Sequence, residues 1–274
     1  MNFKSLSTHS TDNAWQAWGE RDPYFGVITQ DRFRRANMTQ ERLDEFFRSG
    51  QKQIAHVMAM CRRYVDPHFK PVRALDFGCG VGRLLPALGA EAGAVVGVDI
   101  SQAMLDEARK NCDRLGVTGV TLALSDDRLT QVDGDFDLVH SVIVLQHIDP
   151  MRGRDIFAQL VGRVRPGGIG ALHLTYAKAV HAENYGAPPP RMASPAQDSQ
   201  PVQGWRKIFA AAMPAVLAPP AAAAEADPEM QMNCYPMNDI LFILQRAGIQ
   251  RFHADFSDHG GEMGLTLFFG KPAR

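Results

Sequence analysis

Cysteine is sparse and scattered. The 274 residues hold four, at Cys61, Cys79, Cys112 and Cys234, and no CxxC pair occurs. That spacing predicts neither a zinc knot nor a disulfide framework, so no metal is expected. No apolar run approaches the ~20 residues that a membrane-spanning helix needs. The opening MNFKSLSTHSTDNAW lacks the apolar stretch of a secretory signal. An excess of one charge is missing too: 29 Lys and Arg against 30 Asp and Glu leave a formal net charge of −1. Without a basic field, nothing drives binding to a nucleic acid backbone. The expectation is a soluble, cytoplasmic protein whose partner is neither nucleic acid nor membrane. No internal repeat is visible, and the oligomeric state cannot be read from the sequence.

What is present is ordinary globular composition, 45% hydrophobic and 22% charged. The length suits one large domain or one domain with additions. Residues 1–13 are polar and read as loose. The stretch NAWQAWGERDPYFGVITQDRFRRANM then reads as short helical or irregular pieces. Thr39 is placed to cap a helix carrying Leu43, Phe46, Phe47, Ile54, Val57, Met58 and Cys61 at helical spacing, interrupted by Gly50. From residue 73 apolar runs of strand length alternate with helical stretches. This pattern predicts a doubly wound α/β fold, a mostly parallel sheet buried on both faces by helices.

Residues 178–235 interrupt that rhythm. They are rich in Pro and Ala as far as residue 232, and read equally as a linker or as a substrate-side cap. MNDILFILQRAG reads as a helix ending near Gly248. IQRFHADFSD and GLTLFFGKP read as strands, and the short HGGEM between them requires an antiparallel pair. The organisation expected is an N-terminal aromatic lid and helix (1–62), a ligand-binding core (63–177), the insertion (178–235) and a C-terminal helix with two strands (236–274).

The chemistry starts at RALDFGCGVGRLLPAL. Gly78, Gly80 and Gly82 follow a short apolar strand. A dinucleotide loop would carry a third glycine where Arg83 stands, and a P-loop would end in Gly-Lys-Ser/Thr. Asp76, just before the loop, repels an anionic pyrophosphate and favours a cationic ligand. Asp99 ends the next strand, where an acidic side chain takes ribose hydroxyls. A ligand with ribose and a positive group but no phosphate fits, and S-adenosylmethionine is such a ligand.

LDFGCGVGRL, VVGVDIS, LALSDD, FDLVHSVIVLQHI and LVGRVRPGGIGALHL resemble, in this order, the motifs of class I S-adenosylmethionine-dependent methyltransferases. The resemblance runs from about residue 72 to 175, and it implies a seven-stranded sheet with an antiparallel ending. It also implies roles. Backbone at Gly78, Cys79, Gly80 and Gly82 would admit the methionine part of the cofactor, and Asp76 would face its amino group. Asp99 would take the ribose hydroxyls, with Ile100 and Met104 beside the adenine. Asp126 would accept from the adenine amino group, and the Asp127 N–H would meet a ring nitrogen. Ser141 and Val142 would line the methionine tail. Arg83 is expected to open the next helix, and reads equally as a partner of the cofactor carboxylate or as a surface ion pair. The glycines could also serve only a tight turn, and the Asp126 and Asp127 carboxylates only their loop.

The implied reaction is methylation of an O or N nucleophile on a small molecule, with a peptide or carrier-bound acceptor, or a non-catalytic binding module, as alternatives. A general base is optional in such a transfer. His147 leads the candidates because a near-neutral pKa suits proton removal. His173 and Tyr176 follow on the fifth strand, while His140 is expected to point into the sheet. Tyr235 and His259 could reach the rim from the acceptor side. Trp15, Trp18, Tyr24 and Phe25 read either as a lid over the cofactor or as cover for a core edge.

Overall fold

The computed structural model describes residues 8–184 and 226–273. Residues 1–182 with 228–274 make one compact unit. Residues 183–227 make a second, and most of the expected linker or cap lies there, outside the described residues. Among the described residues no helix is long and apolar enough to cross a membrane.

Chain order gives α1 (Thr8–Arg21), α2 (Pro23–Val27), α3 (Gln40–Tyr64), β1 (Arg73–Phe77), α4 (Leu85–Ala92), β2 (Ala94–Asp99), α5 (Gln102–Arg114) and β3 (Val120–Leu124). There follow β4 (Phe136–Ser141), α6 (Pro150–Arg163), β5 (Val164–Lys178), α7 (Met237–Arg246), β6 (Phe252–Asp258) and β7 (Glu262–Gly270). The strands form one seven-stranded sheet in the order β3-β2-β1-β4-β5-β7-β6. The first five are parallel, and β7 runs antiparallel between β5 and β6.

Local chemistry explains the helix starts. Thr39 Oγ1 accepts from the Arg42 N–H ahead of α3, and Ser101 Oγ accepts from the Met104 N–H ahead of α5. Asp149 accepts from the N–H groups of Met151 and Arg152, with Pro150 opening α6. Gly50 interrupts α3 for a packing reason: a Cβ there would lie 2.2 Å from the Arg83 carbonyl oxygen. The helix therefore lies against the glycine loop. Two expectations need correcting here. The N-terminal polar stretch is helical from Thr8, and α4 begins at Leu85, so Arg83 belongs to the loop rather than to the helix.

Both sheet faces are buried. Ile54, Leu85, Leu88, Leu105 and Ala108 cover one face through Leu138, Ile169 and Phe268. Ile156, Phe157, Leu160, Ile240 and Leu244 cover the other through Leu75, Val139 and Leu172. A third cluster, with Trp18, Phe33, Phe46, Phe47, Val81 and Met104, ties the N-terminal helices to the core. The result is three layers, with the C-terminal ends of β1, β2 and β4 opening on one cavity.

Candidate active site

The cavity measures about 550 Å³ and is bounded by the loops after β1, β2, β3 and β4 and by the N-terminal helices. Its floor is the glycine loop. The N–H groups of Gly78 and Cys79 both donate to the Val98 carbonyl, at 2.8 and 2.9 Å, which folds the chain back on β2. Gly78 sits at φ +74°, and a Cβ there would lie 2.3 Å from a methyl of Val144. Asp99 locks the arrangement, with Oδ2 accepting from the Gly80 N–H and Oδ1 from the Ser101 N–H, each at 2.9 Å. One carboxylate thus joins the glycine loop to the start of α5.

Three charged groups surround this floor, Asp76 buried and Asp99 and Arg83 half-buried. Burial pushes the Asp99 carboxyl up to about 6, against the pull of its two N–H partners. Asp76 is 2% exposed; Oδ1 is 2.8 Å from His140 Nδ1, and Oδ2 has no partner. Arg83 donates from Nη1 to Ser49 Oγ at 3.3 Å, and its buried Nε has no partner. Burial lowers the Arg83 pKa, with the Asp76 charge opposing. Arg83 makes no ion pair among the described residues. Cys79 also lines the cavity, but burial and the nearby Asp99 and Asp76 charges raise its pKa, so the thiol stays protonated and inert.

Ile100 and Met104 line the adjoining wall together with Asp126 and Asp127. The Asp126 side chain is engaged by its own loop: Oδ1 accepts from the N–H groups of Arg128 and Thr130, and Oδ2 from the Thr130 hydroxyl. These bonds hold its pKa low. Asp127 is bound by Arg152 at 2.7–2.9 Å, and Arg152 also grips Asp12 of α1 at 2.7 and 3.0 Å. All three line the cavity, so one guanidinium joins α6, α1 and the loop after β3.

Several expected site residues lie elsewhere. Gly82 (φ +80°) faces Leu85 and Ala108, where a Cβ would lie 3.2–3.3 Å from their side chains. It lets the loop pack on α5. The Ser141 hydroxyl donates to the Phe77 carbonyl at 3.0 Å, so of that pair only Val142 meets the cavity. Among the four aromatics expected as a lid, only Trp15 does. Trp18 is buried beside Phe25, Phe25 lies against the Arg34 guanidinium, and the Tyr24 hydroxyl donates to Glu107 and reaches Asn111.

The acceptor-side candidates divide the same way. β5 runs on to Lys178, so His173 sits mid-strand and is 1% exposed, with Nε2 3.3 Å from Ser257 Oγ. Burial pushes its pKa down to about 3. Tyr176 packs on Phe256, and the Tyr235 hydroxyl lies 2.8 and 3.0 Å from the Leu145 and Ile148 carbonyls. None of the three lines the cavity. His147 and His259 do. His147 Nδ1 lies 2.8 Å from the Gln231 carbonyl, so Nδ1 carries the proton and Nε2 is the basic nitrogen. Burial lowers the His147 pKa and keeps the ring neutral at pH 7. Trp15 meets this ring edge-on at 4.8 Å. Gln146, Met230 and Met232 complete this side and carry no recognisable motif.

A family model described as a methyltransferase domain matches residues 74–168. With the sheet order around that stretch, this part of the chain is similar to a methyltransferase domain. A ribosomal protein L11 methyltransferase of Ralstonia pickettii is 39% identical over 111 residues, 40% of this chain and 34% of that protein. A ubiquinone biosynthesis O-methyltransferase of Methylococcus capsulatus is 32% identical over 124 residues, 43% of this chain and 51% of that one. The chain thus spans only a third to a half of these relatives. Among solved structures, magnesium protoporphyrin IX methyltransferase from Synechocystis, with bound S-adenosylhomocysteine, shares the fold at a TM-score of 0.56 and 20% identity, covering 92% of this chain and 98% of that one. The N-methyltransferase NodS from Bradyrhizobium japonicum shares it at 0.55 and 13%, covering 96% and 99%.

Proposed function

We propose that this protein transfers a methyl group from S-adenosylmethionine to an O or N nucleophile of a small-molecule acceptor. One observation carries the reading. The glycine floor is flanked by two carboxylates, the buried Asp76 with an unpartnered oxygen and the half-buried Asp99 with no cation beside it among the described residues. Such a floor repels a pyrophosphate and suits an amino group and a ribose diol.

The residues present fit the cofactor. Asp76 would hold its amino group, Asp99 its ribose hydroxyls, and the unpartnered Nε of Arg83 its carboxylate. Backbone at Gly78–Gly80 would take the methionine part, where a side chain has no room. Ile100 and Met104 would flank the adenine, with the Asp127 N–H and the Asp126 loop at its edge. The bound cofactor supplies a methyl carbon already activated by a sulfonium. Positioning therefore carries most of the rate, up to ~7–11 kcal/mol for well-aligned reactants. His147 Nε2 would take the proton that the acceptor gives up on methylation. Trp15 packs on that ring, and the Gln146 amide nitrogen, 3.4 Å from Nε2, would give way to the acceptor. His259, at the rim, would contact the acceptor.

The volume of the cavity is that of a small-ligand site, which supports an acceptor of modest size. The relatives are, by name, a ribosomal protein L11 methyltransferase and a ubiquinone biosynthesis O-methyltransferase, so similarity supports the donor more than the acceptor. Calorimetry tests the reading: S-adenosylmethionine and S-adenosylhomocysteine should both bind and NAD(P) should not. No heat with either adenosyl compound would sink it. His147→Ala should slow turnover by roughly 10²–10⁴-fold, the usual worth of a general base, with S-adenosylhomocysteine affinity unchanged. Full activity of this variant across pH, with an acceptor found by screening for S-adenosylhomocysteine release, would remove His147 as base.

A further inference from the structure

His140 has no part in the transfer as derived above, yet it is among the most buried polar residues of the chain, 1% exposed. It stands on β4 in direct register with Asp76 on β1, and its Nδ1 is 2.8 Å from Asp76 Oδ1. Asp76 lines the cavity and His140 does not. A buried polar pair at the middle of a parallel sheet is expensive, and an aliphatic pair of similar volume is often as stable or more so. Stability is therefore a weak reason for its presence.

The geometry supplies a better one. The terminal torsion of an aspartate is broad and defines no single orientation by itself. A hydrogen bond from His140 to Oδ1 selects one orientation and leaves Oδ2 as the oxygen without a partner. A carboxylate only accepts, so Nδ1 carries the proton, and the ring need not be charged to act.

We propose that His140 is a positioning residue: it holds the Asp76 carboxylate so that Oδ2 meets the amino group of the cofactor, and selectivity for an amino-bearing adenosyl ligand depends on a side chain that never touches it. This rests on the cofactor reading above.

Two ligands separate positioning from general damage. S-adenosylhomocysteine carries the amino group, and 5′-methylthioadenosine lacks the whole amino acid part. His140→Leu should lose about tenfold or more in affinity for the first, the worth of one well-placed charge-assisted bond, and keep its affinity for the second. His140→Asn, whose amide can still donate to Asp76, should recover most of the loss. Equal weakening of both ligands would reduce His140 to a structural role, and no change in either would remove it. If His140→Leu does not fold, the imidazole nitrogen shifts of the wild-type protein decide, since Nδ1 must keep its proton with S-adenosylhomocysteine bound. An unprotonated Nδ1 overturns the proposal. Wild-type protein that binds neither ligand would overturn the cofactor reading and this inference together, whereas wild-type binding of both with an unchanged preference in the variants overturns this one alone.

Discussion

Asp99→Ala should weaken S-adenosylhomocysteine binding by roughly 10²–10⁴-fold. Two hydroxyl groups donating to one carboxylate are worth ~1.5–3 kcal/mol each, and every 1.4 kcal/mol is tenfold. The same substitution strips the Gly80 and Ser101 N–H groups of their acceptor, so the loop loses its tie to α5 as well. Asp99→Asn will not be silent, because its amide must set a donor against one of those two N–H groups. The wild-type protein offers a second readout. With the carboxyl pushed up to about 6, Asp99 holds a proton below that pH. A ligand that needs the carboxylate must then expel the proton. Affinity should be flat from pH 7 to 8 and fall by up to tenfold per pH unit below about 6. Calorimetric titration from pH 5 to 8 measures this, and an unchanged affinity of Asp99→Ala at pH 7.5 would end the ribose assignment.

The donor half of this site is readable from the chain because it is local. A strand end, the loop 78–84 and the next strand end place Asp76, Gly78, Gly80 and Asp99 with little help from distant contacts. The sheet is readable for a similar reason: buried runs of strand length must be covered on both faces, and HGGEM is too short for any connection but a hairpin. The acceptor half is not local. His147 and His173 both follow from apolar strands, but β5 continues five residues past His173 and buries it, a length that no residue in IGALHLTY announces. Ser141 and Val142 are neighbours, and Ser141 is drawn from the cavity by its bond to the Phe77 carbonyl, a contact 64 residues away in sequence. The N-terminal aromatics show the same limit. Of those aromatics only Trp15 reaches the cavity, while Thr11 and Asp12 of α1 and Gly26–Gln30 at the end of α2 make the rest of that wall. Met230 and Met232 lie in an extended stretch without period, and the Arg152 bridge links residues 140 apart in sequence to Asp12. Gln146 alone left a signal, being one residue from His147 in the same tight turn.

Gly78→Ala is the substitution expected to do the most damage for the fewest atoms. The position has φ +74°, where a non-glycine residue costs about 1–2 kcal/mol. The added methyl would also meet both Val144 methyls, at 2.3 and 2.6 Å, and one of the two loops must move. Overpacking of this kind costs a further 1–3 kcal/mol, roughly, in a well-packed site. Either movement disturbs binding. If the β1 loop shifts, the Gly78 and Cys79 N–H groups leave the Val98 carbonyl and Asp99 loses its partner at Gly80. If Val144 shifts, it carries Ile143, already strained at φ 56°, and the turn that holds His147. The variant should melt several degrees lower and lose S-adenosylhomocysteine binding by at least about 10²-fold, the worth of two hydrogen bonds at ~1.5 kcal/mol each. Val144→Ala in the same chain separates the two causes. It relieves the collision but not the backbone strain, so the double variant should regain part of the affinity and part of the melting temperature. Recovery of neither would place the damage in the backbone alone, and full affinity in the single variant would show that the turn is not the floor of the cofactor site.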